Sequence, residues 1–448
     1  MPEIAAASAM DRMSAADVDA LYRARTPGSA RQHAEALKFL PGGVTHSNRF
    51  WPPYPLHVDR ASGCHLTDVD GNEYIDYWVA NGTMFMGHAN KAVAAAVSAV
   101  LERGTHFGVS HDLIGRLAAK VVELVPSADL VRFTNSGSEA AAHALRVARG
   151  YTGRNKIARF EGTFHGVVDG LHMGYRSPFD RPDCSGIPAS AYADTLVCPY
   201  NDLERTAEIL RRHGSDLAGV ILEPISGVIA AEPAFLRGLR ALCDELGAVL
   251  IYDEIVTGFR MAPGGVQELV GVLPDITLLG KVLGGGFPVG AVAGRREVMD
   301  VLDPQRPLDR RVEIFGTYSG NVAVMAAGLA TLEQLADGRA QKHAAALAAR
   351  AAAGLRGIFA RHGQPAVVNQ LGCMFQVYFG IERPPRDHRD EAKSDIAMRR
   401  RFHIALMTQG VFFKPGAEGR VSAAHTEQDI DQTLERIEHV IAAGMHRA

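Results

Sequence analysis

The chain has 448 residues, with 47 Lys and Arg against 50 Asp and Glu, which gives a net charge of −3. This balance offers no electrostatic basis for binding nucleic acid or an anionic membrane surface. Hydrophobic residues make up 47% and charged residues 22%, which excludes a mainly disordered, collagen-like or coiled-coil protein.

The chain start and the cysteines indicate the compartment. The first ten residues, MPEIAAASAM, lack the basic region of a secretory signal, and no apolar run approaches the roughly 18 residues of a membrane span. The cysteines are odd in number, and no two have C-x-x-C spacing, which argues against a disulfide framework or a structural zinc site. We therefore expect a cytoplasmic protein with reduced thiols and no metal.

The order of predicted elements indicates the fold. Asp70-Gly71 lies between two short strand-like runs and predicts a β-hairpin. Beyond residue 90, helical stretches alternate with runs that are apolar throughout, as in strands buried on both faces of a mainly parallel sheet. These runs are 130–134, 156–160, 196–199, 218–223, 248–253 and 276–279. Helices are predicted over 322–360 and 427–443, with a strand at 375–379 between them.

We therefore predict an α/β protein. The large domain, 76–325, contains the mainly parallel sheet between helices, and a smaller α+β domain is built from both chain ends, 1–75 and 326–448.

The segment VRFTNSGSEA (131–140) reads as a strand, a turn of small residues and the start of a helix. Free backbone N–H groups and hydroxyls at a helix N-terminus bind phosphate, which makes Ser136, Gly137 and Ser138 candidates. The alternative is that Ser136 or Ser138 is only a helix N-cap.

Asp253 stands at the carboxyl end of the apolar run 248–252. Ligands of open α/β sheets bind outside the carboxyl ends of strands, so this carboxylate is placed to bind a metal or to pair with a protonated ring nitrogen. The alternative is a strand-end Asp that caps a turn. Glu223, which ends another apolar run, is the rival carboxylate.

Lys281 is a lone lysine among apolar residues and glycines in LLGKVLGGG (278–286). A buried lysine must lose its charge or find a partner, and a desolvated amine is the one that forms Schiff bases. The alternative is that the chain surfaces here and the amine is solvated.

These three signals support one another. A phosphate-binding turn, a carboxylate for a ring nitrogen and a Schiff-base lysine are the parts that a pyridoxal 5'-phosphate (PLP) site needs. The sequence lacks G-x-x-x-x-G-K-[ST], H-E-x-x-H and G-x-S-x-G, the signatures of other common enzyme classes.

Several stretches, in this order, resemble class III (subgroup II) aminotransferases of fold type I. The group includes the glutamate-1-semialdehyde 2,1-aminomutases and their aminotransferase relatives. The matching stretches are PGGVTHSNR (41–49), DVDGNEYIDY (68–77), RFTNSGSEA (132–140), FHG (164–166), PYNDL (199–203), ILEP (221–224), DEIVTGFR (253–260), LGKVLGGGFPVGAVAGRREVM (279–299), GTYSGN (316–321) and VSAAHTEQDI (421–430).

The resemblance implies a PLP enzyme in which Lys281 forms the Schiff base and Asp253 pairs with the pyridine nitrogen. It also implies a homodimer with sites at the subunit interface. The remaining implied cofactor contacts are Ser136, Gly137 and Ser138 at the phosphate, Phe164, His165 and Ile255 around the ring, and Thr317 at the phosphate of the neighbouring subunit.

The substrate half of the implied site is less regular. Arg49 falls where aminomutase-like proteins carry an arginine that binds the substrate carboxylate, a task suited to a bidentate guanidinium; the alternative is a surface arginine. The chain departs from the aminomutases at Asn81, at Val228, at the gating segment 174–188, and at Glu418 and Arg420.

The departures favour an aminotransferase over an aminomutase. The expected substrates are a carboxylate-bearing amino acid, including β- or D-amino acids, and a 2-oxo acid. The alternative is intramolecular exchange in glutamate-1-semialdehyde.

Overall fold

The computed structural model describes residues 15–447, so the N-terminal ten residues of the signal-peptide argument lie outside the described part. The strands, in chain order, are β1 Val58–Ser62, β2 His65–Asp68, β3 Glu73–Asp76, β4 Leu130–Thr134, β5 Lys156–Phe160, β6 Thr195–Cys198, β7 Leu217–Leu222, β8 Ile225–Ser226, β9 Ile229–Ala230, β10 Val249–Asp253, β11 Ile276–Gly280, β12 Gly290–Gly294, β13 Val367–Leu371, β14 Met374–Tyr378, β15 Val411–Phe412 and β16 Gly419–Arg420.

Helices separate most of these strands. The α-helices are α1 Ala15–Arg25, α2 Pro27–Ala36, α3 Val79–Gly82, α4 Lys91–Leu101, α5 Asp112–Leu124, α6 Gly137–Thr152, α7 Ala189–Tyr192, α8 Leu203–Arg212, α9 Pro233–Leu246, α10 Val266–Val270, α11 Arg296–Met299, α12 Val322–Leu335, α13 Arg339–Arg361, α14 His388–Glu391, α15 Ile396–Thr408 and α16 Glu427–Ala442. Within residues 15–447, no helix has both the length and the apolar character needed to cross a membrane.

The largest sheet has the strand order β4-β12-β11-β10-β7-β5-β6. β12 runs antiparallel to both of its neighbours, and the other neighbouring pairs are parallel. The predicted mainly parallel α/β sheet is therefore confirmed. The sequence analysis missed β12, because GAVAG consists of small residues that do not form a conspicuous apolar run.

Successive side chains of β10 pack against different helix layers, which explains why the sheet is buried on both faces. Ile251 packs in the cluster formed with α6, whereas its neighbours Leu250 and Tyr252 pack in the cluster formed with α9. Successive strand side chains point to opposite faces, so an all-apolar strand needs a helix layer on each side. The helices thus fix β10, and with it the position of Asp253 at its end.

The two ends of the chain share a smaller sheet of order β1-β2-β3-β15, in which β15 pairs in parallel with β3. The predicted hairpin is present, since β2 and β3 pair antiparallel around Asp70-Gly71. A further sheet, β13-β14-β16, carries Glu418 and Arg420 at its edge. The boundaries proposed at 75 and 325 remain a prediction.

Candidate active site

Asp253 and Lys281 lie at the same edge of the large sheet. β10 and β11 pair in parallel, with Asp253 opposite Leu278, and Lys281 is the first residue after β11. Carboxyl ends of parallel strands open onto one crevice, so the fold brings the two groups to neighbouring positions.

Asp253 is buried and both of its oxygens have partners. Oδ1 accepts the backbone N–H of Ile255 at 3.1 Å, and Oδ2 lies 2.7 Å from His165 Nδ1. Asp253 therefore caps the turn with Oδ1 only, and Oδ2 is left for the contact with His165. Among the described residues, no cluster of candidate metal ligands includes Asp253.

His165 orients the second oxygen. Burial lowers the pKa of His165, against the opposing effect of the Asp253 hydrogen bond, so the ring is neutral and Nδ1–H donates to the carboxylate. His165 Nε2 is buried and has no partner among the described residues. A buried nitrogen without a hydrogen-bond partner indicates that a ligand supplies the missing polar group on this side of the crevice.

Lys281 is partly buried, which contradicts the solvated alternative. Its backbone has a left-handed φ of 44°, a conformation that non-glycine residues seldom adopt and that clusters at functional sites. Burial, and then the charge of Arg420, lower the pKa of Lys281 to about 8. A larger fraction of its amine is therefore neutral at physiological pH than in an exposed lysine.

The turn at 136–138 begins helix α6. Ser136 is the N-cap, and its Oγ accepts the backbone N–H of Glu139 at 3.1 Å, so the capping alternative describes that oxygen correctly. Ser138 Oγ accepts the N–H of Val167 at 3.2 Å. Each hydroxyl keeps its own hydrogen to donate, and the first helical N–H groups have no carbonyl partner within the helix.

Gly137 is required by close packing. A Cβ atom there would lie 2.5 Å from Ile255 Cδ1. The Ile255 side chain thus lies against the first turn of α6 and next to the Asp253 carboxylate that its own N–H caps. The helix N-terminus and the carboxylate therefore belong to one site.

Phe164 follows β5, and its ring is 46% exposed, in contact with Tyr175 at a centroid distance of 5.2 Å. Its backbone N–H donates to Glu223 Oε2 at 2.9 Å. Burial, and then the nearby charge of Asp253, raise the pKa of Glu223, while Lys281 opposes the shift. Glu223 is thus a buried neighbour of the site rather than a replacement for Asp253.

Two buried arginines were not assigned a role from sequence. Arg420 lies over the Trp78 ring at 4.8 Å and donates from Nη2 to Glu418, while its Nε and Nη1 have no partner among the described residues. Arg260 donates to the carbonyls of Val256 and Gly82 and likewise has an unpartnered Nη1.

The two arginines lie close together, since a Cβ on Gly82 would be 3.0 Å from Arg260 Nη2 and 3.1 Å from Arg420 Cδ. The charges of both lower the pKa of Lys281 after the larger effect of burial. Unpartnered guanidinium N–H groups in a buried position favour an anionic ligand. The only sequence signal for this role was that the chain departs from the aminomutases at Arg420. Its strand is remote from Lys281 in the chain, so the sequence did not indicate that the two residues interact.

Arg49 and Thr317 do not join this group. Both side chains are exposed, and within residues 15–447 no hydrogen bond, ion pair or ring contact links either of them to Lys281 or Asp253. Arg49 ends a short 3-10 turn beside His46, whose pKa is lowered by burial and by the Arg49 charge. The turn of Thr317 passes Asn135, since a Cβ on Gly316 would lie 3.4 Å from Asn135 Nδ2.

A crevice with a partly buried amine, a carboxylate fixed by a histidine and a helix N-terminus is the layout of a PLP-dependent enzyme. Residues 47–441 match the family model Aminotransferase class-III, and the chain belongs to that family. The family is PLP-dependent, so the chain is an enzyme of this cofactor class, and the resemblance noted from its motifs is confirmed.

Relatives of known function include both reaction types. The chain is 41% identical over 418 residues to glutamate-1-semialdehyde 2,1-aminomutase 2 of Brevibacillus brevis, covering 91% of this chain and 96% of the relative. An ω-transaminase from Sphaerobacter thermophilus has a TM-score of 0.89 and 33% identity, covering 95% of this chain and 100% of its own. A β-phenylalanine aminotransferase from Variovorax paradoxus has a TM-score of 0.87 and 33% identity, with 96% of both chains covered.

The residues present fit the cofactor. The orphaned His165 Nε2 beside Asp253 marks a buried place that lacks a polar partner, and the free donors of the α6 N-terminus suit a phosphate. Lys281 supplies a primary amine with a lowered pKa for an aldehyde.

Proposed function

We propose that the protein is an aminotransferase that moves an amino group between a carboxylate-bearing amino acid and a 2-oxo acid. The carrying observation is Arg420, a buried guanidinium with two unpartnered nitrogens whose charge lowers the pKa of Lys281. Such a group gains a charge-assisted bidentate contact when a carboxylate reaches it. Both the β-phenylalanine aminotransferase and the ω-transaminase neighbours match nearly the whole chain, which supports exchange between two substrates.

In this proposal Lys281 attaches the cofactor and then moves protons. PLP, when bound, supplies a ring that takes up electrons from the bond broken at the substrate carbon. The Lys281 amine, once released, acts as the general base and acid at that carbon. Asp253, held by His165 through a 2.7 Å contact, keeps a negative charge opposite the ring nitrogen.

The other predicted cofactor contacts follow from position. The hydroxyls of Ser136 and Ser138 and the N–H groups at the start of α6 hold the phosphate. Phe164 and Ile255 are placed to cover the two ring faces. These roles, like that of Arg49 at a substrate carboxylate, are parts of the proposal.

Glutamate-1-semialdehyde 2,1-aminomutase is the second candidate, favoured by the 41% identity to the Brevibacillus brevis protein. One half-reaction screen separates the two. The PLP-loaded enzyme is mixed with a panel of α-, β- and D-amino acids, and conversion of the cofactor to its amino form is followed spectroscopically. Efficient turnover of glutamate-1-semialdehyde without any oxo acid would reject the aminotransferase in favour of the mutase.

The Arg420 side chain yields a first prediction. We expect Arg420→Gln to raise KM for the reacting carboxylate substrate about 10- to 150-fold, since a hydrogen bond to a charged group contributes about 1.5–3 kcal/mol. The cofactor spectrum should not change. Glu418→Gln is the matched control, because it removes the partner of Arg420 and keeps the guanidinium.

Arg49→Ala tests the sequence-based alternative in the same assay. If Arg49→Ala raises KM as strongly while Arg420→Gln leaves it unchanged, the carboxylate binds at Arg49 and the assignment to Arg420 is wrong.

A second prediction concerns the pH dependence of cofactor capture. Only the neutral amine attacks an aldehyde, and the pKa of Lys281 is lowered to about 8 by burial and then by Arg420. We expect the rate of covalent PLP capture by cofactor-free protein to rise with pH through about 8, well below the roughly 10.4 of an ordinary lysine. Stopped-flow absorbance measures the rate, with a free lysine derivative as control. A rise only near the ordinary value would contradict this.

A third prediction concerns the dimer. Val109, Phe315 and Tyr318 are 74%, 81% and 63% exposed, and the Tyr318 ring lies 5.4 Å from His106, so two segments form one apolar surface beside Thr317. Exposed apolar patches of this kind mark interaction sites. We propose that a second copy covers it, as the Thr317 assignment requires.

Phe315→Asp should then weaken the dimer about 10²- to 10⁴-fold, because a symmetric interface loses about 1.5–3 kcal/mol of burial in each subunit. Sedimentation equilibrium measures this, with Leu269→Asp, at another exposed apolar position, as control. An active wild-type monomer would reject the shared site.

A further inference from the structure

Three side chains with metal-binding atoms meet on the segment that follows β5. The ligand atoms of His172, Asp183 and Cys184 all lie within 4.8 Å of one another. We propose that they form a binding site for Zn²⁺, with water as the fourth ligand. The sequence gives no signal for such a site, because zinc motifs are recognised by paired cysteines, whereas here one cysteine is combined with a histidine and a carboxylate.

The ligand chemistry suits this ion. Zn²⁺ binds imidazole nitrogen, carboxylate oxygen and thiolate sulfur, in tetrahedral geometry at about 2.0–2.3 Å. His172 Nδ1 and Asp183 Oδ1 are 2.7 Å apart. Two tetrahedral ligands about 2.0 Å from an ion are about 3.3 Å apart, so the ion fits between the two atoms with a shift well below 1 Å. The proton on His172 Nδ1 would move to Nε2 of the same neutral ring, so it is not released.

Asp183 has unused capacity to accept. Its side chain is only 7% exposed, yet within residues 15–447 its one hydrogen bond comes from His172. Arg176 Nε forms an ion pair with Asp183 Oδ2 at 3.6 Å, which is longer than a hydrogen bond, and the Arg176 side chain is 70% exposed. A largely buried carboxylate normally binds several donors, so these open lone pairs indicate a ligand that is still to be supplied. The exposed Cys184 gives the ion access from solvent.

A second cluster contains the same ligand types but differs from the proposed Zn²⁺ site in how its carboxylate is used. Cys64, His65 and Asp429 also lie within 4.8 Å of one another. There, however, Asp429 completes the capping box of α16 and accepts from both the backbone and the hydroxyl of Thr426. Because that carboxylate is already used in the helix cap, Cys64 provides the matched control for Cys184.

The proposed ion would act on the active site through the same segment. Tyr175 lies between His172 and Asp183 in sequence and contacts the Phe164 ring at 5.2 Å. Gly162 N–H donates to Gly174 O at 2.9 Å, which joins the segment to the turn that carries Phe164. Zn²⁺ would therefore hold Tyr175 over the crevice and slow substrate access. This effect on rate rests on the proposed function, whereas binding does not.

Calorimetric titration of the full-length PLP-loaded protein with ZnCl₂ tests binding. We expect one tight site that releases about one proton, from the Cys184 thiol, to the buffer, since a thiol must be deprotonated to bind. Cys184→Ser should weaken affinity at least about 10-fold and abolish that release, because losing even a supporting partner of a ligand costs 10- to 100-fold. Cys64→Ser should bind as wild type.

The possible results distinguish the metal site, its effect on substrate access and the proposed function from one another. Equal Zn²⁺ affinity in wild type and Cys184→Ser, or loss of binding in Cys64→Ser, would overturn the site. In the rate assay, Zn²⁺ at a concentration that just saturates the wild type should slow its amino transfer severalfold and slow Cys184→Ser much less. Binding without any change in rate would overturn the effect on access and leave the metal site standing, and absence of amino transfer altogether would count against the proposed function alone.

Discussion

The Lys281→Ala protein is expected to fold, to bind PLP without a covalent bond, and to lose amino transfer by at least about 10⁴-fold. In the proposed function the amine serves as a nucleophile and as a proton carrier, and the second role alone contributes about 10²- to 10⁴-fold. Folding should be little affected, because alanine at this left-handed φ of 44° is no more strained than lysine. Borohydride reduction followed by mass spectrometry measures covalent attachment.

Lys414→Ala is the matched control for that experiment. Lys414 is another partly buried lysine whose pKa is lowered by burial and by neighbouring arginines, and it follows β15 rather than β11. Covalent capture should persist in Lys414→Ala. Retention of capture by Lys281→Ala together with its loss in Lys414→Ala would move the attachment point to the second lysine.

Asp253→Asn should slow amino transfer about 10²- to 10⁴-fold while the protein stays folded. Asparagine can still accept the Ile255 N–H at its oxygen, as Asp253 does at 3.1 Å. Its amide N–H can donate to His165 Nδ1, which lies 2.7 Å from Asp253, once the neutral ring carries its proton on Nε2. It cannot supply the negative charge, and removing one partner of a buried charge pair costs about 3–5 kcal/mol. Single-turnover kinetics with the donor from the half-reaction screen measures the loss.

Two carboxylates serve as comparisons. Asp275→Asn alters another buried aspartate, at the start of β11, where it accepts from Leu250 N–H and pairs with Arg240; stability should fall there and the rate should not. Glu223→Gln tests the rival carboxylate. Near-normal turnover in Asp253→Asn with a strong loss in Glu223→Gln would reverse the assignment of the two acids.

The proximity of Asp253 and Lys281 could be predicted because both residues are local to strand ends. Asp253 and Lys281 each follow an all-apolar run, and the parallel order of β10 and β11 then brings them together. The fold class followed from the same runs. Strand β12 was missed because small residues carry little hydrophobic signal, although tertiary packing buries all of them.

The substrate half could not be predicted in this way. Arg420 lies on a two-residue strand, β16, and its guanidinium packs over the ring of Trp78, more than three hundred residues earlier in the chain. No local pattern reports such a contact. Arg49, which the motif made prominent, is exposed, so a role for it depends on groups that the single chain does not provide.

The antiparallel strand β12 separates Lys281 from the turn at 136–138. It lies between β4, which leads into the α6 N-terminus, and β11, which ends at Lys281. Neighbouring strands are about 4.8 Å apart, so the strand ends that lead into Lys281 and into the turn at 136–138 are about 9.6 Å from each other. Gly290 keeps this spacing, because a Cβ there would lie 2.2 Å from the Ser136 carbonyl oxygen. The width of the inserted strand β12 therefore sets the length of a ligand that can contact both Lys281 and the turn at 136–138.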